Sequence, residues 1–164
     1  MAKQSGSWTE GITAGLLGAG GVALWFFAVD SMAGRPLYTP GLLGGALLNV
    51  LGRGVNHSTL YNAAVYSVLH VAVFLLIGVM ASRIVEVSKR IPQVLAGLLL
   101  FFVVFEVGFY GVAALMSQYS LVGSLAWYQI GAANLFSAVL MGGYLWRRHP
   151  ELGPAMEASL DGSV

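Results

Sequence analysis

The chain has no cysteine among its 164 residues. That absence excludes disulfides, thiolate metal sites, cysteine-ligated iron–sulfur clusters and covalently attached haem. Charge is also scarce. Asp, Glu, Lys and Arg make up 9% of the chain, against roughly 25% in an average soluble domain, so a water-facing surface would be short of charge. The net charge is +1 and the eight basic residues form no stripe able to follow a phosphate backbone, which removes nucleic acid as an expected partner. His57, His70 and His149 stand far apart, with no His–x₃–His pair to hold a metal. Gly18-Ala19-Gly20-Gly21 lies within an apolar run and not after a strand, so it is no dinucleotide loop. No nucleophile elbow frames a serine, and no repeat of fixed period is visible. From this inventory neither enzymatic activity nor a resident metal is expected.

Hydrophobic residues are what the chain has, at 57%. Crossing a bilayer takes ~20 mostly apolar helical residues, because backbone polar groups find no partner in lipid. Four runs qualify: about 11–29, between Glu10 and Asp30; about 61–82, ending at Arg83; about 92–116, opening on Pro92; and about 121–146, closed by Arg147, Arg148 and Pro150. They predict an all-α membrane protein, a four-transmembrane-helix bundle in one domain over 1–149, with a tail at 150–164 that should be disordered by itself. Trp8, Trp127, Tyr128, Tyr144 and Trp146 fall at predicted ends, where amphipathic rings prefer the headgroup layer. The first run is longer than the ~7–15 residues of a signal core, so a retained helix is expected there in spite of Lys3 before it and Ser31-Met32-Ala33 after it. Lys3, Arg83, Lys89, Arg90, Arg147 and Arg148 share one side of this topology, and only Arg35 and Arg53 the other. That bias predicts both termini in the cytoplasm.

One connection is long. Between Asp30 and Leu60, Thr39 suits an N-cap and Pro40 a first helical position. From there Leu42, Leu43, Ala46, Leu47, Val50 and Leu51 recur on one helical face, opposite Gly41, Gly44, Gly45 and Asn49. A surface helix over about 40–51 is expected, too short to span. Lacking Lys and Arg, it is unlike a lipid-seeking amphipathic helix and is expected to cover protein. Arg35, Pro36, Tyr38 and Arg53 are the expected partner-contact residues of this loop.

Inside the spans, Glu106 is the one carboxylate. A charge there costs roughly 2.5–3.5 kcal/mol on insertion scales, so it should face protein. It reads either as a proton relay, ion site or ligand counter-ion, or as a neutral acid hydrogen-bonded to the next helix, with His70 or Tyr66 as its expected partner. His70 sits at similar depth in the antiparallel second span. It reads as a satisfied core histidine or as the axial ligand of a haem or chlorophyll-type pigment. Asn62 and Tyr66 precede His70 on the same face, Tyr110 follows Glu106 by four, and Asn134 on the fourth span could join them. Such a cluster lines a small polar cavity or serves as interhelical hydrogen-bond glue. Small residues form stripes: Gly11, Gly15 and Gly18; Gly97, Val104, Gly108 and Gly111; Gly131, Ala138 and Gly142. They allow the close backbone approach by which membrane helices pack.

The stretch Val22-Ala23-Leu24-Trp25-Phe26-Phe27, then Asp30 and Gly34-Arg35-Pro36-Leu37-Tyr38-Thr39-Pro40-Gly41-Leu42-Leu43-Gly44, resembles small uncharacterised bacterial four-helix integral membrane proteins. The resemblance covers about a quarter of the chain, implies a bacterial inner membrane and brings no catalytic residues. With the other features it leads to an expected role as a non-catalytic accessory subunit of a larger energy-converting membrane complex, in electron transport or photosynthesis. The lipid bilayer and other membrane subunits are its expected partners. A small transporter or proton-conducting bundle using Glu106 and His70, and a pigment- or haem-binding subunit using His70, are the alternatives.

Overall fold

A computed structural model describes residues 2–53, 58–91, 93–95, 127–154 and 157, with side chains from Ser7 onward except at 127. Among these residues the fold is all helical: α1 (Ala2–Met32), α2 (Tyr38–Val50), α3 (Thr59–Ser88) and α4 (Trp127–Arg148). The span expected at 92–116 lies, but for 93–95, outside the described residues, and Glu106, Tyr110 and the glycine stripe of that segment lie there too.

The helix ends follow local chemistry. α1 closes in a Schellman turn, with Gly34 at φ 69°, its N–H donating to the Ser31 carbonyl and that of Arg35 to the Asp30 carbonyl. α2 closes the same way through Gly52 at φ 71°, where Gly52 N–H donates to Asn49 and Arg53 N–H to Leu48. Ser58 caps α3 by accepting from Tyr61 N–H at 3.2 Å.

The start of α2 departs from the sequence expectation. Thr39 is not the cap: the helix begins at Tyr38, after Leu37 in a left-handed conformation at φ 66° with no side-chain capping bond of its own. The cap comes from another helix. Asp30 of α1 accepts Thr39 N–H at 2.7 Å and the Thr39 hydroxyl at 2.8 Å. A buried carboxylate is a better acceptor for an orphan helix N–H than a threonine hydroxyl, so it takes both of Thr39's donors.

α1 is the central element, packing on α3 and on α4, while α2 lies across the N-terminal part of α3. The α1–α3 seam is backbone against backbone. A Cβ at Gly11 would stand 2.6 Å from Val79 Cα, and one at Gly15 2.8 Å from Leu75 Cα and against the Phe74 carbonyl. Gly18 faces Met141 of α4 and Phe74 of α3. Of the stripe expected on the last helix, Gly131 and Ala138 are half-buried and Gly142 is exposed. Gly142 has nothing within 4 Å among the described residues, and the buried face of α4 is Ala133, Ser137, Met141 and Leu145. On that face the Met141 side chain fills the space beside Gly18.

Large apolar side chains point outward. Val68, Leu76 and Val139 are 73%, 62% and 62% exposed, while alanine, serine and glycine fill much of the interior. Two described helices, Ser7–Met32 and Thr59–Ser88, are long and apolar enough to cross a membrane, and only 11% of the apolar stretch of the second is buried. A core helix of a water-soluble protein would hide most of that stretch.

Candidate functional site

The polar stripe on α3 meets the backbone of α1. His70 Nε2 lies 3.3 Å from the Ala19 carbonyl. A carbonyl only accepts, so Nε2 carries the hydrogen and Nδ1 of the neutral ring is the acceptor, facing the Tyr66 hydroxyl at 3.5 Å. The ring stacks on Tyr66, with centroids 5.4 Å apart, and is tilted against Phe74 at 4.7 Å. Both nitrogens are thus directed at protein groups, and ligating a haem or chlorophyll-type pigment would displace one contact. Beside them opens a largely apolar cavity of about 300 Å³, lined among others by Phe26, Phe27, Asp30, Thr39, Tyr66 and His70.

Of the cluster expected in the membrane, Tyr66 and His70 come together, whereas Glu106 and Tyr110 lie outside the described residues. Asn134 is half-buried on α4, which packs chiefly on α1. Asn62 is turned away from the His70 group to the α2–α3 contact, with its Nδ2 beside Gly45. Among the described residues no group of three or more His, Asp or Glu is arranged to hold a metal ion.

In the loop, Arg35 and Pro36 are exposed, and the Arg35 guanidinium lies 4.2 Å over the Tyr38 ring, a cation–π contact. Arg53 is exposed at the far end of α2. α2 covers protein, and the face it buries is the glycine one: Thr39, Gly41, Gly44, Gly45 and Leu48 are buried. Gly44 sits directly against the Asn62 carbonyl. Glycine is what lets two backbones come so close, so the leucine face is left outward, with Val50 84% exposed.

A charged cluster closes the opposite end of the bundle. His149 Nε2 is 3.0 Å from Glu10 of α1, and Nδ1 is 3.4 Å from Glu151. Arg148 also approaches Glu10 at 3.9 Å. Lys89 pairs with Glu86 at 3.0 Å and Glu151 at 3.3 Å. Burial opposes the charge on Lys89, yet Glu86 and Glu151 outweigh it and raise its pKa. The Glu151 carboxyl is held below the usual range by its own backbone N–H, then by Lys89 and His149. Leu152 follows, 2% exposed among Ala14, Val85, Met141 and Leu145. The described part of the tail is therefore packed, and His149, isolated in the sequence, has acidic neighbours in space. A usable signal existed, since Glu10 and His149 flank the ends of the first and last apolar runs on the same expected side.

No protein-family model, curated protein or solved structure matches the chain.

Proposed function

We propose that this chain is a multi-pass protein of the bacterial inner membrane, with four spans and both termini in the cytoplasm, that acts as a non-catalytic accessory subunit of a larger energy-converting complex. The observation that carries the subunit role is the orientation of α2. It docks by its glycine face and turns Leu42, Leu43, Leu47, Val50 and Leu51 outward or to half-burial. An apolar stripe without a basic residue suits a protein partner better than anionic lipid. The exposed apolar belts of α1, α3 and α4 support the membrane setting. Ile91 and Trp127 lie at opposite ends of the bundle, because Lys89 and Arg148 share one end through Glu151, His149 and Glu10. That placement of Ile91 and Trp127 supports the proposed four-span topology.

The test is purification from native membranes in mild detergent, followed by native electrophoresis and identification of co-migrating chains. The wild type should migrate in a larger assembly. Leu43→Glu with Val50→Glu should release it while leaving it in the membrane fraction. Migration of the wild type alone would refute the reading.

A further inference from the structure

The outward face of α2 is apolar and is bracketed by two cations. Arg35 stands just before the helix and Arg53 just after it, and both are exposed. Between them Leu42, Leu43 and Leu47 are half-buried, while Val50 and Leu51 are 84% and 63% exposed. The 13 residues of α2 make ~20 Å of helix, so the two cations mark the ends of a strip of about that length.

Neither cation is paired within the chain. No ion pair joins Arg35 or Arg53 to an acid among the described residues. No Asp or Glu occurs in the sequence between Asp30 and Glu86. Asp30 is buried, and its two oxygens accept the N–H and the hydroxyl of Thr39. Glu10, Glu86 and Glu151 belong to the clamp at the other end of the bundle. The Arg35 guanidinium instead lies on the ring of Tyr38, the first residue of α2, and this contact fixes a positive charge at the helix start.

We infer that α2 docks a helix of another membrane subunit whose apolar stripe is bracketed by carboxylates, about four turns apart at ~5.4 Å per turn. Complementary charges of this kind fix the register and suppress wrong partners. A second copy of the chain fits badly. Laid antiparallel, α2 on α2 sets Arg35 against Arg53; laid parallel, it sets each arginine against itself, and like charges meet either way. A lipid headgroup also fits badly, since one phosphodiester cannot reach two cations ~20 Å apart. Lipid-seeking amphipathic helices carry their cations along a polar face, whereas the face of α2 opposite its leucines is glycine packed on α3. The inference rests on the subunit reading above and adds the chemistry of the partner.

The experiment uses the assembly purified from native membranes. Arg35→Glu with Arg53→Glu should lower the assembled fraction about tenfold or more. Arg35→Lys with Arg53→Lys should stay assembled. In that variant a carbodiimide, which joins an amine to a carboxylate in direct contact, should link the introduced amines to Asp or Glu of a co-purifying chain, as located by peptide mass spectrometry. Should the glutamate variant fail to fold, the crosslink alone decides. Retention of the glutamate variant, disassembly of the lysine variant, or an assembled lysine variant without a crosslink overturns the proposal. Assembly that phospholipase abolishes and phosphatidylglycerol restores also overturns it, in favour of lipid. The two readings fail differently. A wild type that migrates alone defeats the subunit role itself. Release by Leu43→Glu with Val50→Glu but not by charge reversal defeats only the acidic partner.

Discussion

Asp30 near the end of α1 holds the start of α2 through Thr39, accepting its backbone N–H at 2.7 Å and its hydroxyl at 2.8 Å, with both residues buried. One carboxylate therefore couples two helices across a turn whose Leu37 is in the left-handed region at φ 66°. That conformation is uncommon for a residue with a side chain and persists where its surroundings enforce it.

Asp30→Ala removes an acceptor from two buried donors. The expected cost is about 1–3 kcal/mol, concentrated in α2. Hydrogen exchange should show faster exchange at Thr39 and Gly41 with little change in α4. Asp30→Asn keeps one side-chain acceptor and should fall between wild type and alanine. Equal protection in all three proteins would contradict the coupling.

The α1–α3 seam predicts a contrast between glycines. Gly15→Ala would place its Cβ against the Phe74 carbonyl and 2.8 Å from Leu75 Cα, so a helix must shift. Overpacking of this kind costs about 1–3 kcal/mol. Gly20→Ala, on the same helix with nothing within 4 Å among the described residues, should be neutral or slightly stabilising, since alanine is the better helix former. Thermal unfolding in detergent decides the point, and equal melting temperatures would refute it.

His70 joins α3 to the Ala19 carbonyl. His70→Gln retains a donor and should be well tolerated. His70→Leu loses an interhelical hydrogen bond, about 0.6 kcal/mol by the usual measure in membranes. If His70 instead ligated a pigment, the purified wild type would absorb visible light and both variants would lose that absorption. A colourless wild type is the expected result.

The C-terminal clamp should respond to pH at two limits. The folded pKa of Glu151 is depressed, so its contribution is present above the unfolded carboxylate value and is lost as pH falls through the folded one. The pKa of Lys89 is raised above 10.5, so its contribution is present below that value and is lost as pH rises through the folded pKa. Docking of residues 149–154 should hold across the neutral range and loosen at acid and strongly alkaline pH. Trp146, which lies beside Gly153, gives a fluorescence readout. Leu152→Ala should loosen the tail at every pH, at a cost of about 2 kcal/mol, the low end for a buried leucine. An unchanged Trp146 signal across these conditions would contradict the clamp.

Part of this protein was settled by the sequence alone. The apolar runs near 11–29 and 61–82 fall within α1 and α3, the two described helices long and apolar enough to cross a membrane, and in hydrocarbon only a helix satisfies every backbone group. They continue beyond those runs, to Ala2–Met32 and Thr59–Ser88, since no proline interrupts them. The Gly11, Gly15 and Gly18 stripe also declared its face, as only small residues admit a second backbone. Three matters needed the tertiary structure. Both faces of α2 were plausible contacts, and the choice fell to glycine because Gly44 must meet the Asn62 carbonyl. The role of Thr39 depended on Asp30, nine residues away, reaching it through the turn. The tail, unremarkable in composition, was ordered through Leu152 by space among α1, α3 and α4 and by acidic and basic partners from other helices. Periodicity reports what a helix can bury. Which neighbour fills that face depends on distances between segments far apart in the chain.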